Sequence, residues 1–156
     1  MTPLAWIVGL VLPACGAEGI AGLPVPPPMD MTRIERPATP NTFLAGPAGM
    51  TPTPDAITAP ANVPARTLYE QARKLFTQRK HTFVAAEYPD QMQVHYVVRT
   101  ALMNYPDLVT VQVNETAAGQ STIIIWSRSV YGRSDFAVNR ARTEAWLASL
   151  QQTNLR

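Results

Sequence analysis

Prolines are distributed unevenly along this 156-residue chain, and their positions divide it into parts that must fold differently. Eleven of the fifteen prolines lie between Pro24 and Pro64. Proline donates no backbone hydrogen bond and its ring fixes φ, so a stretch this rich in proline resists regular helices and central strands. We therefore predict a Pro-rich extended linker over residues 16–64, followed by a folded domain over residues 65–156.

Residues 1–15 form a third part, which has the features of a targeting signal or a membrane anchor. Leu4–Leu12 is an apolar run, too short for a membrane-spanning helix of about 20 residues. It has the length of the hydrophobic region of a secretory signal. The following Leu12-Pro-Ala-Cys15 resembles a lipobox, in which a bacterial signal peptidase cuts before a cysteine that becomes acylated.

Three interpretations of this N-terminus stay open: a lipoprotein acylated at Cys15, an uncleaved membrane anchor, and an apolar start of a soluble protein. The first two hold the domain at a membrane, on the non-cytoplasmic side in the periplasm or cell envelope. A lipoprotein carries several acyl chains, which is what stable anchoring requires.

Charge and composition limit which ligands and metal sites the chain can have. The net charge is +2, and residues 65–156 hold 11 Lys or Arg against 7 Asp or Glu. This mildly basic balance suits an anionic ligand or membrane surface and is too weak to predict a nucleic-acid partner. One cysteine and two histidines leave no disulfide within the chain and no Cys or His metal cluster. The sequence predicts no cofactor.

Periodicity predicts the secondary structure of the folded part. Apolar residues at Leu68, Ala72, Leu75 and Phe76 share one helical face, and Thr67 and Glu70 have the spacing of a capping box, so a helix is expected over 67–79. Four strand-like runs follow: Thr82–Glu87, Gln91–Ala101, Leu108–Asn114 and Ser121–Ser129. A final helix is expected over 135–151.

The short turns between these runs favour antiparallel neighbours. The consecutive Ile123, Ile124 and Ile125 indicate a central strand with both faces covered. The predicted fold is therefore α+β: a two-layer, four-stranded, mostly antiparallel sheet with two helices on one face, preceded by the Pro-rich extended segment. The length bounds this to one domain plus a tail.

The segment 127–142 carries a recognisable pattern, approximately Ser-x-Ser-x-x-Gly-x-Ser-Asp-x-Gly-x-Asn-x-x-Arg. The matching residues are Ser127, Ser129, Gly132, Ser134, Asp135, Asn139 and Arg142. In this the chain resembles the domain-of-unknown-function 1499 family, which usually has Arg at the place of Val130 and Gly at that of Ala137. The resemblance implies a domain identity and no particular reaction.

Three other places resemble the same family. A Pro-Asn pair recurs ahead of the domain, as in Arg36–Leu44. Tyr105-Pro-Asp107 resembles a Phe-Pro-Asp turn of the family, and Arg99 stands where the family tends to have Arg. The resemblance favours docking of residues 36–47 on the domain as an extended arm, through Phe43 and Leu44.

The family pattern leads from a strand into a helix, and backbone amides at a helix N-terminus favour anions. We therefore predict a ligand site for a phosphate or carboxylate. Its residues are Arg99, Arg128, Arg133, Ser134, Asn139 and Arg142. The structural alternative is that Gly132 supplies a positive φ, that Ser134 or Asp135 caps the helix, and that Asp107 or Asp135 pairs with an arginine. The candidate pairs are Arg142–Asp135, Arg142–Asp107, Arg99–Asp107 and Arg128–Asp107.

The function predicted from these features is a membrane-tethered envelope protein that acts as a non-enzymatic binding module. Its ligand would be a lipid headgroup, a cell-wall fragment or the acidic face of a partner protein. One alternative is a small hydrolase that uses Ser127 or Ser129 with His95 as its base. Another is a purely structural envelope protein, with its arginines paired and an apolar patch exposed elsewhere. The sequence leaves the oligomeric state open.

Overall fold

The computed structural model of the protein describes residues 17–132 and 137–154. In chain order, these residues form strands β1 (Thr42–Gly46) and β2 (Ala56–Ile57), helix α1 (Ala65–Thr77), strands β3 (Thr82–Tyr88), β4 (Gln93–Arg99), β5 (Pro106–Ala117) and β6 (Gln120–Ser129), and helix α2 (Val138–Asn154). A 3-10 turn at Pro89–Gln91 joins β3 to β4. The predicted α+β class with two helices is confirmed.

The sheet has six strands in the order β2-β1-β6-β5-β4-β3, so the prediction of a four-stranded sheet is wrong. Strands β3 to β6 form the expected antiparallel meander. Strand β1 adds antiparallel to β6, and β2 adds parallel to β1, which makes the sheet mixed. The physical reason is local: Pro40 and Pro47 flank β1 instead of interrupting it, so its amides are free to pair.

Both helices pack on one face of the sheet, here called the helix face. Their apolar side chains meet Val94, Tyr96, Val109 and Ile125 in the main core. The rings of Phe76 in α1 and Trp146 in α2 stack with centroids 4.4 Å apart, and Tyr96 meets Trp146 edge-on at 5.6 Å. Burial of this aromatic cluster is what holds the two helices to the sheet.

Helix α1 begins two residues earlier than predicted, directly after Pro64, and no side chain caps it. The predicted capping box of Thr67 and Glu70 is therefore wrong. Thr67 already lies in the first turn, where its backbone is helical, so its hydroxyl is not in the N-cap position.

The other face of the sheet, here called the second face, is covered by residues 17–36 from the Pro-rich region. Met31 and Ile34 are buried there against Leu44, Ile124 and Trp126. As a result every residue of β4 is buried, including those that alternate away from the helices. The domain thus has a third, irregular layer in place of the two layers predicted, and β6 is covered on both faces as its isoleucine run indicated.

Side chains hold this irregular layer in place. Gln93, fully buried, accepts a hydrogen bond from the Met29 N–H at 2.7 Å and donates one to the Met29 carbonyl at 2.8 Å. The Tyr88 hydroxyl donates to the Pro26 carbonyl at 2.7 Å. A side-chain amide that pairs with both backbone groups of one residue acts much as a neighbouring strand would, which explains how a proline-rich segment docks without sheet pairing.

Candidate functional site

The family-like residues of β6 and α2 meet in a buried polar cluster on the helix face, here called the polar network. Its members are Asn41, Asp107, Ser127, Ser129, Asn139 and Arg142. Asn139 is its centre and is completely buried. Its amide nitrogen donates to the Asn41 carbonyl at 2.9 Å and to Ser129 Oγ at 3.0 Å.

The amide oxygen of Asn139 is equally occupied. It accepts from Ser127 Oγ at 2.6 Å and from Arg142 Nη1 at 2.8 Å. Two donors and two acceptors are the full capacity of an asparagine amide. Asn139 therefore joins β1, β6 and α2, and its amide has no bonding capacity left for a ligand.

Arg142 forms an ion pair with Asp107 at the start of β5, and their side chains are only 8% and 3% exposed. Arg142 Nη1 also donates to Ser127 Oγ at 3.0 Å. Of the ion pairs considered from the sequence, the structure forms Arg142–Asp107. An arginine buried with its charge neutralised fixes α2 on the sheet, and this placement favours a structural role for Arg142 over the predicted contact with a ligand.

Arg99 is also buried, but it points to the second face. Its Nε donates to the Gly19 carbonyl at 3.0 Å, and its Nη1 donates to the Asn104 carbonyl at 3.1 Å. The first bond fastens the start of the irregular layer to the end of β4, and the second fastens the β4–β5 loop to it. Arg99 was predicted to hold a ligand, and the structure instead gives its guanidinium backbone carbonyls as partners.

His95 is buried on the second face, not half-exposed as a lone strand histidine usually is. Burial, and then the charge of Arg128, lower the pKa of His95 to about 4, so the ring is neutral at pH 7. Its Nδ1 lies 3.0 Å from Thr110 Oγ1 and its Nε2 2.9 Å from Gln93 Oε1. Because that amide oxygen only accepts, we assign the proton to Nε2 and the lone pair on Nδ1 to the Thr110 hydroxyl.

The hydrolase alternative requires His95 near a serine, and the sheet register separates them. Ser127 shares a row with Val109 and Tyr96, whose side chains lie in the helix-face core. His95 shares the next row with Thr110 and Trp126, on the second face. Side chains of successive rows point to opposite faces. The serines and His95 are therefore on opposite sides of the sheet and form no nucleophile–base pair.

Arg128 differs from the other predicted arginines. It is half-buried on the second face, and its guanidinium makes no hydrogen bond or ion pair with any residue of 17–132 or 137–154. Burial lowers its pKa, because desolvation penalises the charged form. Thr42 of β1 lies directly opposite in register and is also half-buried. The pair presents a guanidinium and a hydroxyl side by side.

Four predicted residues, Cys15, Arg133, Ser134 and Asp135, lie outside the described residues. Gly132 does have a positive φ, of 89°, and its carbonyl accepts from Asn41 Nδ2 at 2.9 Å. Across the described part of the chain, no three His, Cys, Asp or Glu side chains come together as a metal site. Nor does any helix there have the length and apolar character needed to cross a bilayer.

Sequence reasoning missed Asn41 and Thr42 as site residues. Asn41 was noticed only as half of the Pro-Asn pair, yet its carbonyl and amide connect β1 to Asn139 and Gly132. The sequence feature that could have identified both residues is the short proline-free run after Pro40, which is typical of a strand. Its alternation places Thr42 and Leu44 on one face and Phe43 and Ala45 on the other.

A family model described as "Protein of unknown function (DUF1499)" matches residues 34–150 of the chain. The match therefore begins before β1 and takes in only the last three residues of the irregular layer, the whole sheet and most of α2. No curated protein matches the chain.

Proposed function

The chain belongs to the DUF1499 family, and we propose that it is a non-enzymatic binding module, tethered to a membrane of the cell envelope, that binds an oxyanion at Arg128. The tether is the apolar run Leu4–Leu12 with Cys15, as either a lipid-modified N-terminus or an anchor. The ligand chemistry is a phosphate or carboxylate, carried by a lipid headgroup, a soluble metabolite or a cell-wall fragment.

The observation that carries this proposal is the half-buried Arg128 without a partner among the described residues. A guanidinium withdrawn from water loses hydration free energy, which a hydrogen-bonded anion recovers. Its planar fork matches the two oxygens of a phosphate or carboxylate. Thr42 adds a hydroxyl from the neighbouring strand, on the same face.

The proposal separates two roles that the sequence had combined. Asn139, Arg142 and Arg99 support the architecture, because their polar groups already bond inside the domain. Arg128 is assigned to the ligand, because its guanidinium has no partner among the described residues. Arg133 and Ser134 keep their predicted ligand role, since they follow Arg128 in the connection to α2.

The test is a thermal melt of the full-length protein with inorganic phosphate, glycerol phosphate and acetate, and in a separate arm with phosphatidylglycerol vesicles. An anion at 100 times its Kd adds about 2.7 kcal/mol of stability, a rise in Tm of roughly 5–10 °C. Arg128→Gln should abolish the rise without lowering the Tm of the free protein, because it removes a charge that has no partner. Arg33→Gln is the matched control, since its side chain is 86% exposed.

A response to soluble anions identifies a small oxyanion, and a response to vesicles alone identifies a headgroup. If Arg128→Gln keeps the full shift, Arg128 is not the site. The second candidate function is a purely structural envelope protein, which the buried Arg142–Asp107 pair favours. That candidate predicts no shift with any anion.

A further inference from the structure

Four strand ends meet at one end of the sheet, here called the loop end. The register pairs Thr82 at the start of β3 with Val98 near the end of β4, and Val98 with Asp107 of β5. Asp107 in turn pairs with Ser129 at the end of β6. The β4–β5 loop and the chain after β6 therefore project from the same side of the domain, together with the start of α2.

Exposed apolar side chains concentrate at the loop end. Of the ten large hydrophobic residues that are exposed in the described chain, eight lie there: Ile20, Phe83, Leu102, Met103, Tyr105, Val130, Tyr131 and Val138. Leu102 is 92% exposed and Met103 55% exposed at the tip of the β4–β5 loop. Clustering of this kind marks an interaction surface, whereas single exposed apolar residues are ordinary.

Hydrogen bonds within the β4–β5 loop hold its tip, Leu102 and Met103, away from the domain. The Thr100 N–H donates to the Tyr105 carbonyl at 2.9 Å, and the Asn104 N–H donates to the Thr100 carbonyl at 2.9 Å. Thr100 Oγ1 also accepts from the Tyr105 N–H at 2.9 Å. The loop is thus closed on itself at its base, and Leu102 and Met103 are presented to the outside without a contact in the domain that would bury them.

The N-terminal chain arrives at this same end. Asn104 Nδ2, at the base of the tip loop, donates to the Ala17 carbonyl at 3.1 Å. The apolar run Leu4–Leu12 ends five residues before Ala17, a distance of at most ~18 Å in extended chain. A membrane that holds Leu4–Leu12 is therefore within a short reach of Leu102 and Met103.

Exposed charged side chains at the loop end are of both signs, so the apolar side chains provide the main contact with a bilayer. Lys80 is exposed just before β3, and Arg140, in the first turn of α2, has a side chain 59% exposed. Glu18 is exposed at this end as well, and Glu144 lies 3.9 Å from Arg140. The opposite end carries Asp90 and Glu115, both exposed, together with the exposed Arg66, which donates to the Pro89 carbonyl. Tyr105 and Tyr131 add the amphipathic rings that settle at membrane–water interfaces.

We propose that the loop end rests on the lipid bilayer, with Leu102 and Met103 inserted at the headgroup boundary. The docking rests on the membrane tether of the proposed function, but it does not require an anion at Arg128. It fixes the orientation of the domain: the loop end faces lipid, and the β5–β6 turn at Ala117–Gln120 faces away.

The experiment uses the full-length chain with Cys15 intact, because Cys15 belongs to the proposed tether, and a single environment-sensitive fluorescent amino acid introduced during translation. Replacing Met103 places the probe at the tip, and replacing Ala118 places it at the opposite end as the control. Each protein is bound to phosphatidylcholine vesicles with a minor fraction of phosphatidylglycerol, with and without lipids that carry a doxyl quencher near the headgroup. We expect a blue shift and quenching at 103 and neither at 118.

A second measurement is the vesicle affinity of Leu102→Asn, Met103→Gln. Both positions are exposed, so the fold is retained, and the lost apolar insertion should weaken binding roughly tenfold. Equal quenching at 103 and 118, or none at either, overturns the proposal. So does a blue shift at 103 without lipid that grows with protein concentration, which would mean that a second copy covers the loop end. Soluble-anion binding by Arg128 is measured separately and survives any of these results.

Discussion

Replacing Asp107 by Asn is expected to destabilise the domain far more than an ordinary charge change. The substitution keeps the shape of the side chain but leaves the positive charge of Arg142 without its counterion in a site where that side chain is 8% exposed. Removal of one partner from a buried ion pair costs about 3–5 kcal/mol. The bonds from Arg142 to Ser127 and Asn139 remain, which places the expected loss near the lower bound, at ~3 kcal/mol.

The loss is measured by urea denaturation and by thermal melting. For a chain of this size ~3 kcal/mol corresponds to a fall in Tm of roughly 6–12 °C. Glu144→Gln is the matched control, because the pair Arg140–Glu144 is exposed and 3.9 Å apart and should contribute less than about 0.5 kcal/mol. The double variant Asp107→Asn, Arg142→Met should recover part of the loss, because it leaves no buried charge.

The result that would refute this reasoning is a loss for Asp107→Asn no larger than that for Glu144→Gln. In that case the polar network does not hold α2 on the sheet, and the assignment of Arg142 to the architecture would be wrong. Arg142 would then return to the predicted ligand site.

Two further predictions concern the second face. The pKa of His95 is about 4 in the folded protein against an ordinary 6.5, so the unfolded chain binds the extra proton between those values. His95 should therefore lower the free energy of unfolding by on the order of 3 kcal/mol as the pH drops from 6.5 to 4, and it should contribute no pH dependence above 6.5. The measurement is an NMR titration, in which His81→Asn assigns the two histidine signals. A His95 ring that is protonated above pH 6 would contradict the prediction. Gln93→Leu leaves the backbone of Met29 without its partners, so amide exchange at Met29 should accelerate and unfolding become easier by at least ~2 kcal/mol, whereas the exposed Gln120→Leu should change neither.

The meander β3–β6 was predictable because each strand carries a local signal, either alternation as in β4 or a β-branched run as in β6. The six-stranded sheet was not, because β1 owes its place to pairing with β6 and its surroundings are dominated by proline. Residues 17–36 show the same limit. Their apolar residues follow the period of neither a helix nor a strand, and their position depends on bonds from Gln93, Tyr88 and Arg99 that no sequence window contains.

Sequence identified five of the six members of the polar network, all but Asn41, and it offered the ion pair of Asp107 with Arg142 as the structural alternative, but it predicted a ligand role for Asn139 and Arg142. Ser127, Asn139 and Arg142 stood out as a pattern, and an arginine after a helix start suggests an anion site as readily as an ion pair. The choice depends on which face each residue occupies and on how far Asp107 is from Arg142 in space. The register of the strands decides the faces, and the packing of α2 on the sheet decides the distance; both are tertiary properties that no local sequence pattern contains.

With the N-terminus tethered to a membrane as proposed above, the irregular layer on the second face determines how that tether responds to force. Force applied through the N-terminus would load the bonds of Asn104, Arg99, Tyr88 and Gln93 one after another, whereas the β1–β6 ladder beyond them resists through several bonds at once. Residues 17–36 would therefore detach before the sheet yields. Fully extended, these residues span up to ~70 Å, so the layer is a reserve of chain length that lets a stretched tether lengthen while the sheet stays folded.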